Sequence, residues 1–134
     1  MTMSIANPRL LGIPNWTRFA LLDNDQVEQW TEDLTGEQIC SILQQVPIDS
    51  RSNANSLLAA VSLGDSIAAG KLAHRLKGMA AGIGANRLAE VARAMEFGAH
   101  DQVALDSFAE PLTAVLDETL VAVAALEAAI SARN

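Results

Sequence analysis

The stretch Ala69-Gly70-Lys71-Leu72-Ala73-His74-Arg75-Leu76-Lys77-Gly78-Met79-Ala80-Ala81-Gly82-Ile83 decides the fold. At about 100° of rotation per residue, Ala69, Leu72, Ala73, Leu76, Ala80 and Ile83 fall on one apolar stripe at spacings of three and four, which predicts an amphipathic helix. His74 lies roughly 150–170° from the centre of that stripe, so its imidazole is expected to project into solvent. Gly70 sits one turn before His74, Gly78 one turn after and Ala81 two turns after, leaving little side-chain bulk around the ring. Lys71 and Lys77, three residues to either side, add positive charge.

Glycine inside a helix costs roughly 1 kcal/mol relative to alanine, and two of them here bracket one histidine at the turn spacing. Such a cost implies an offsetting use. A bare patch lets another macromolecule or a bulky reacting group come close, and two nearby ammonium groups favour an anion such as phosphate. The combination points to a histidine that handles phosphoryl groups.

Working outward, Gly64 stops the preceding segment, Asp65 is placed to cap the histidine helix, and Gly82 with Gly84 ends it. Upstream, Thr35 followed by Gln38 reads as a capping box. Ile39, Leu43, Val46, Ala54, Leu57 and Val61 continue an apolar row to Leu63, which Pro47 is expected to kink or split. Asn24 or Asp25 can cap a short helix through about Leu34, with Val27 and Trp30 turned inward. Downstream, Leu88, Val91, Ala92 and Met95 form a helix ending before Gly98. A last helix carries Leu112, Leu116, Val123, Leu126 and Ile130. It starts near Gln102 or at the capping box Ser107-Phe108-Ala109-Glu110. Short links between successive helices favour antiparallel neighbours. The predicted fold is all-α: an antiparallel up-down four-helix bundle over residues 23–134 with a short additional N-terminal helix. Residues 1–22, with Pro8, Gly12, Pro14, Trp16 and Phe19, are expected to form an irregular arm whose aromatic residues either pack it on the bundle, the favoured reading, or seat it on a partner.

A chain of 134 residues that is 50% hydrophobic fits one domain with a sizeable core. Its formal net charge of −7 disfavours nucleic acid and anionic membrane as partners. The single Cys40 cannot form an internal disulfide, no basic and apolar leader opens the chain, and no apolar run approaches the roughly 20 residues needed to span a bilayer. A cytoplasmic location is expected.

His74-Arg75-Leu76-Lys77-Gly78, continued by Gly84-Ala85, Leu88 and Met95-Glu96, resembles the signature of histidine-containing phosphotransfer (HPt) domains of bacterial two-component phosphorelays. From about Leu22 to Ile130 the order of elements, and the Gly64-Asp65 turn ahead of His74, are also similar to that family. Two features depart from it: Val46-Pro47 stands where the family usually has an aromatic residue, and the first twenty or so residues have no counterpart.

The resemblance implies a relay. His74 would accept a phosphoryl group, on the ring nitrogen far from the backbone, from the aspartyl phosphate of a receiver domain and pass it to a response-regulator aspartate. The nearly two negative charges gained would be met by Lys77 and Lys71, and Gly78 would give the receiver clearance. His74, Lys77 and Gly78 are thus assigned to the site, and Gly70, Lys71, Arg75, Ala81 and Arg87 to docking. Partners implied are receiver domains of a hybrid sensor kinase or response regulator. Magnesium belongs to the receiver, and the chain itself needs no cofactor and acts as a monomer. The rival function is a binding module that regulates a receiver or kinase by occupancy without accepting phosphate.

Kinase activity of its own is not expected, because Arg75 stands where a self-phosphorylating kinase has an acidic residue and no nucleotide-binding domain is present. A carboxylate metal bundle would need a glutamate three residues before a histidine, and neither histidine has one. No Gly-x-Ser-x-Gly elbow marks a hydrolase. His100, beside Asp101 in an expected loop, reads as solvated, Cys40 as a small core or boundary residue, and Met79 and Met95 as core fillers. Arg93 is assigned either to the docking rim or to solvent.

Overall fold

The computed structural model describes residues 19–133. Over these residues the chain forms five helices: α1 (Asn24–Asp33), α2 (Gly36–Leu63), α3 (Ser66–Gly82), α4 (Asn86–Phe97) and α5 (Gln102–Arg133). The four longer helices are joined by links of two to four residues, run antiparallel, and pack in a closed ring: α2 on α3, α3 on α4, α4 on α5, and α5 back on α2. The short α1 leans on α2. The expected bundle with an extra N-terminal helix is the observed one. The features read at Pro8, Gly12, Pro14 and Trp16 lie outside the described residues.

Each boundary has a local cause. Asp23, one residue earlier than expected, caps α1 by accepting from Asp25 N and Gln26 N. Thr35 and Gln38 make the reciprocal capping box of α2, with Gln38 N 3.1 Å from Thr35 Oγ1 and Thr35 N 2.9 Å from Gln38 Oε1. Gly64 ends α2 in the left-handed region at φ 73°, and Asp65 Oδ1 accepts from Ala68 N to open α3. Gly84, at φ 75°, turns the chain from α3 into α4, and its carbonyl accepts from Asp23 N at 2.7 Å.

Two expectations are resolved. Pro47 does not split α2, which runs unbroken from Gly36 to Leu63. The ring removes one backbone donor, yet Ile39, Leu43, Val46, Ser50, Ala54 and Leu57 lie buried on one face, and that packing carries the helix through. The last helix begins at Gln102: Asp101 Oδ1 accepts from Val103 N and Ala104 N, whereas Ser107 Oγ donates back to Ala104 O from within the helix. Ser107 is therefore no cap.

The core is aliphatic. Leu57, Leu76, Leu88, Met95, Leu105, Leu112 and Val123 are fully enclosed, each such burial contributing about 1.5–3 kcal/mol. The buried residues include several alanines: α3 buries Ala69, Ala73 and Ala80 beside Leu76, and α4 buries Ala89 and Ala92 beside Leu88, Val91 and Met95. Small side chains let two helix backbones come close, so short polar groups at the edge of this interface can meet. Cys40 lies at a boundary, its Sγ 3.4 Å from Ser131 Oγ, and Met79 packs against the core while accepting from Asn53 Nδ2 through sulfur at 3.7 Å.

Candidate functional site

The apolar stripe predicted for α3 is the one turned inward: Ala69, Ala73, Leu76 and Ala80 are fully enclosed, Ile83 nearly so, and Leu72 is half-buried. His74, on the opposite face, has its side chain 67% exposed. The ring is not loose. Its Nδ1 lies 2.7 Å from Oε2 of Glu96 on α4, and the other oxygen of the same carboxylate, Oε1, accepts from Lys77 Nζ at 2.8 Å. One carboxylate thus joins a histidine and a lysine that stand one turn apart on the neighbouring helix.

The electrostatics follow from this arrangement. The hydrogen bond from Lys77 holds the Glu96 carboxyl below the usual glutamate range, with His74 acting in the same direction and partial desolvation opposing both. An ionised carboxylate only accepts, so the hydrogen between Glu96 and His74 is carried by Nδ1. In the neutral ring Nε2 then holds the lone pair, on the side away from Glu96. Glu96 sets the tautomer and orients the ring, as carboxylates do for catalytic histidines.

Gly78 is as open as expected, since a Cβ built there would meet nothing within 4 Å. Arg75 and Ala81 are exposed on α3 with His74. Gly70 is less open than Gly78. A Cβ there would meet Ala99 Cβ at 3.4 Å, an ordinary contact, so Gly70 faces the turn between α4 and α5 while also lining the surface beside His74.

Arg87 is not on the rim of this site. It opens α4, at the end away from Glu96, where its Nε donates to Phe19 O at 2.9 Å and its backbone N to Ala20 O at 2.9 Å. Its guanidinium also faces Glu118 at 3.8 Å. It ties residues 19 and 20 to the bundle. Arg93 bonds Glu90 and lies over the Phe97 ring, 5.5 Å from its centroid.

A groove of about 610 Å³ runs alongside the imidazole. Ile67, Gly70, Lys71 and His74 line it from α3, and Glu96 and His100 from the other side. Two of these contributors were missed by sequence reasoning. Glu96 was within the quoted register but given no role, although counting outward from the Ile83–Ala85 link of an antiparallel pair brings residue 94 level with residue 74 and Glu96 within a turn of it. His100 was read as merely solvated. It is exposed, but the turn that carries it folds back beside Gly70.

Among the described residues no group of three or more histidine, cysteine, aspartate or glutamate side chains is arranged to hold a metal ion, and no helix is long and apolar enough to cross a membrane. The helical bundle thus presents an exposed histidine, paired through Nδ1 with Glu96, one turn before a glycine with open space around it. The particular family is given by comparison, for residues 41–132 match the model of the Hpt domain, and the chain belongs to that family. No curated protein and no solved structure matches it.

Proposed function

We propose that this chain is a phosphorelay intermediate in which His74 accepts a phosphoryl group from the aspartyl phosphate of one receiver domain and delivers it to the aspartate of another. Hpt domains are histidine phosphotransfer modules, and that membership supports the general role. The observation that carries the assignment to His74 is the pairing of Nδ1 with Glu96 on a ring that is otherwise exposed.

In the accepting step the Nε2 lone pair attacks phosphorus and forms the N–P bond. The P–O bond to the receiver's aspartate breaks, its electron pair leaving with the carboxylate. The Nδ1 proton stays in place, and the positive charge that develops on the ring is met by the Glu96 carboxylate. Delivery is the reverse at a second aspartate. The bundle supplies a positioned nucleophile, and magnesium with the acidic pocket belongs to the receiver. Gly78 and Ala81 give the receiver room to approach, Arg75 borders its path, and the exposed Ile67 offers an apolar contact at the groove's edge. The chain acts as a monomer in a transient complex, without kinase activity of its own, in the cytoplasm.

The test is to mix the protein with a phosphorylated receiver and follow acid-labile, base-stable label. Label on wild type and none on His74→Gln supports the relay. Stable binding of the receiver with no label on either protein would instead make the chain an occupancy regulator.

A further inference from the structure

Two depressions flank Glu96, and they divide the nearby cations unequally. The one beside the imidazole takes its α3 lining from the turns up to His74, with Lys71 among them. Lys77, one turn beyond, lines the second depression together with Arg93 and Phe97. Helix geometry accounts for the division: Cα–Cβ bonds tilt toward the helix N-terminus, so a side chain covers the turn before its own Cα. The His74 ring therefore shares its depression with Gly70 and Lys71, while Lys77 meets it through Glu96.

Charge points the same way. The Lys77 ammonium is already 2.8 Å from Glu96 Oε1, and leaving that partner would strip the carboxylate of its compensating charge just as a second anion forms nearby. Lys71 is exposed and, among the described residues, takes part in no ion pair. His100 stands across the same groove as a second nitrogen donor.

We propose that the phosphoryl group carried on His74 Nε2 lies in this groove and is held by Lys71, with His100 as a lesser contact, while Lys77 acts indirectly by holding Glu96. The assignment rests on His74 being the phosphorylated residue. It gives the lysine three residues before the histidine the role that spacing alone would share with the lysine three residues after it.

The experiment loads the protein with phosphoramidate, which transfers its phosphoryl group to Nε2 with loss of ammonia and needs no receiver. Wild type, Lys71→Ala, Lys77→Ala and His100→Asn are compared by 31P NMR, following the titration of the bound phosphoryl group and the decay of phosphohistidine at neutral pH. In Lys71→Ala the phosphoryl titration is expected to move to higher pH and the phosphohistidine lifetime to fall about two- to fivefold, as for a solvent-exposed charge contact. His100→Asn should move both in the same direction by less. Lys77→Ala should alter the 15N signals of the His74 ring and shift the phosphoryl titration less than Lys71→Ala does.

An unmoved 31P titration in Lys71→Ala, or one that moves at least as far in Lys77→Ala, would overturn the assignment, as would wild type that takes no label at His74. An unmoved His100→Asn would remove His100 from the contact. Wild type that loads from phosphoramidate but never from a receiver would sink the relay and leave the Lys71 assignment standing.

Discussion

Glu96 and His74 are 22 residues apart in sequence, yet their side chains meet across the α3–α4 interface with Oε2 2.7 Å from Nδ1. The contact depends on the Gly84 turn that reverses the chain and on the packing of α4 against α3. Lys77 completes it by neutralising the carboxylate that orients the ring.

Replacing Glu96 by alanine removes the group that keeps the proton on Nδ1. Both tautomers of His74 should then be populated, and phosphoryl transfer from a receiver should slow by about tenfold, the worth of one charge-assisted hydrogen bond. Glu96→Gln should fall between, because an amide oxygen can still accept from Nδ1 but carries no charge. The 15N shifts of the imidazole report the tautomer directly. Wild-type shifts in Glu96→Ala would show that something else fixes the ring.

The same network has a pH signature. The folded-state pKa of Glu96 is depressed, so its contribution to stability is fully present above the ordinary glutamate range and is lost as pH falls through the folded value. The melting temperature of wild type should therefore exceed that of Glu96→Gln near neutrality, and the gap should narrow on acidification. Asp23, also held low by Asn86 and by the backbone N–H groups of Asp25 and Gln26, is present in both proteins and drops out of the difference. A gap that stays constant from neutral to acid pH would contradict the ion-paired state of Glu96.

Much of this architecture was legible in the chain. The α3 stripe, the Thr35–Gln38 box, the Gly64 stop and the Asp65 cap are local signals, written within a few residues of the structure they cause. The exposure of His74 followed from helix rotation. What did not follow were relationships between elements. Glu96, His100 and the contact between Gly70 and Ala99 arise because α4 and the turn after it are folded onto α3, and that placement is set by packing rather than by any short motif. Arg87 is a further case: its hydrogen bonds to residues 19 and 20, which have no periodicity of their own, could not be read from the chain.

Gly84 is the turn on which the α3–α4 register depends. Its φ of 75° disfavours any side chain, and a Cβ would come within 3.0–3.1 Å of Gln26 and Asp23. Gly84→Ala should destabilise the protein by about 1–3 kcal/mol in denaturant unfolding, through backbone strain and displacement of the start of α1. A loss below a few tenths of a kcal/mol would mean that this turn can relax at little cost.

Gly78 and Gly82 separate stability from docking. Both lie on α3, and a Cβ at either would meet nothing within 4 Å. Gly78→Ala should therefore raise stability by about 0.5–1 kcal/mol through the unfolded state, a few degrees in melting temperature, and Gly82→Ala should raise it by less because it stands at the helix end. Transfer should respond differently. At Gly78, one turn from the imidazole, a larger side chain stands in the path of the receiver, so Gly78→Glu should slow transfer at least about tenfold by bulk and by like charge while far-ultraviolet helicity holds. Gly82, two turns from His74 at the end of α3, should tolerate alanine with transfer near the wild-type rate. Gly78→Glu transferring at the wild-type rate with intact helicity would show that the bare surface beside His74 is not where the receiver docks.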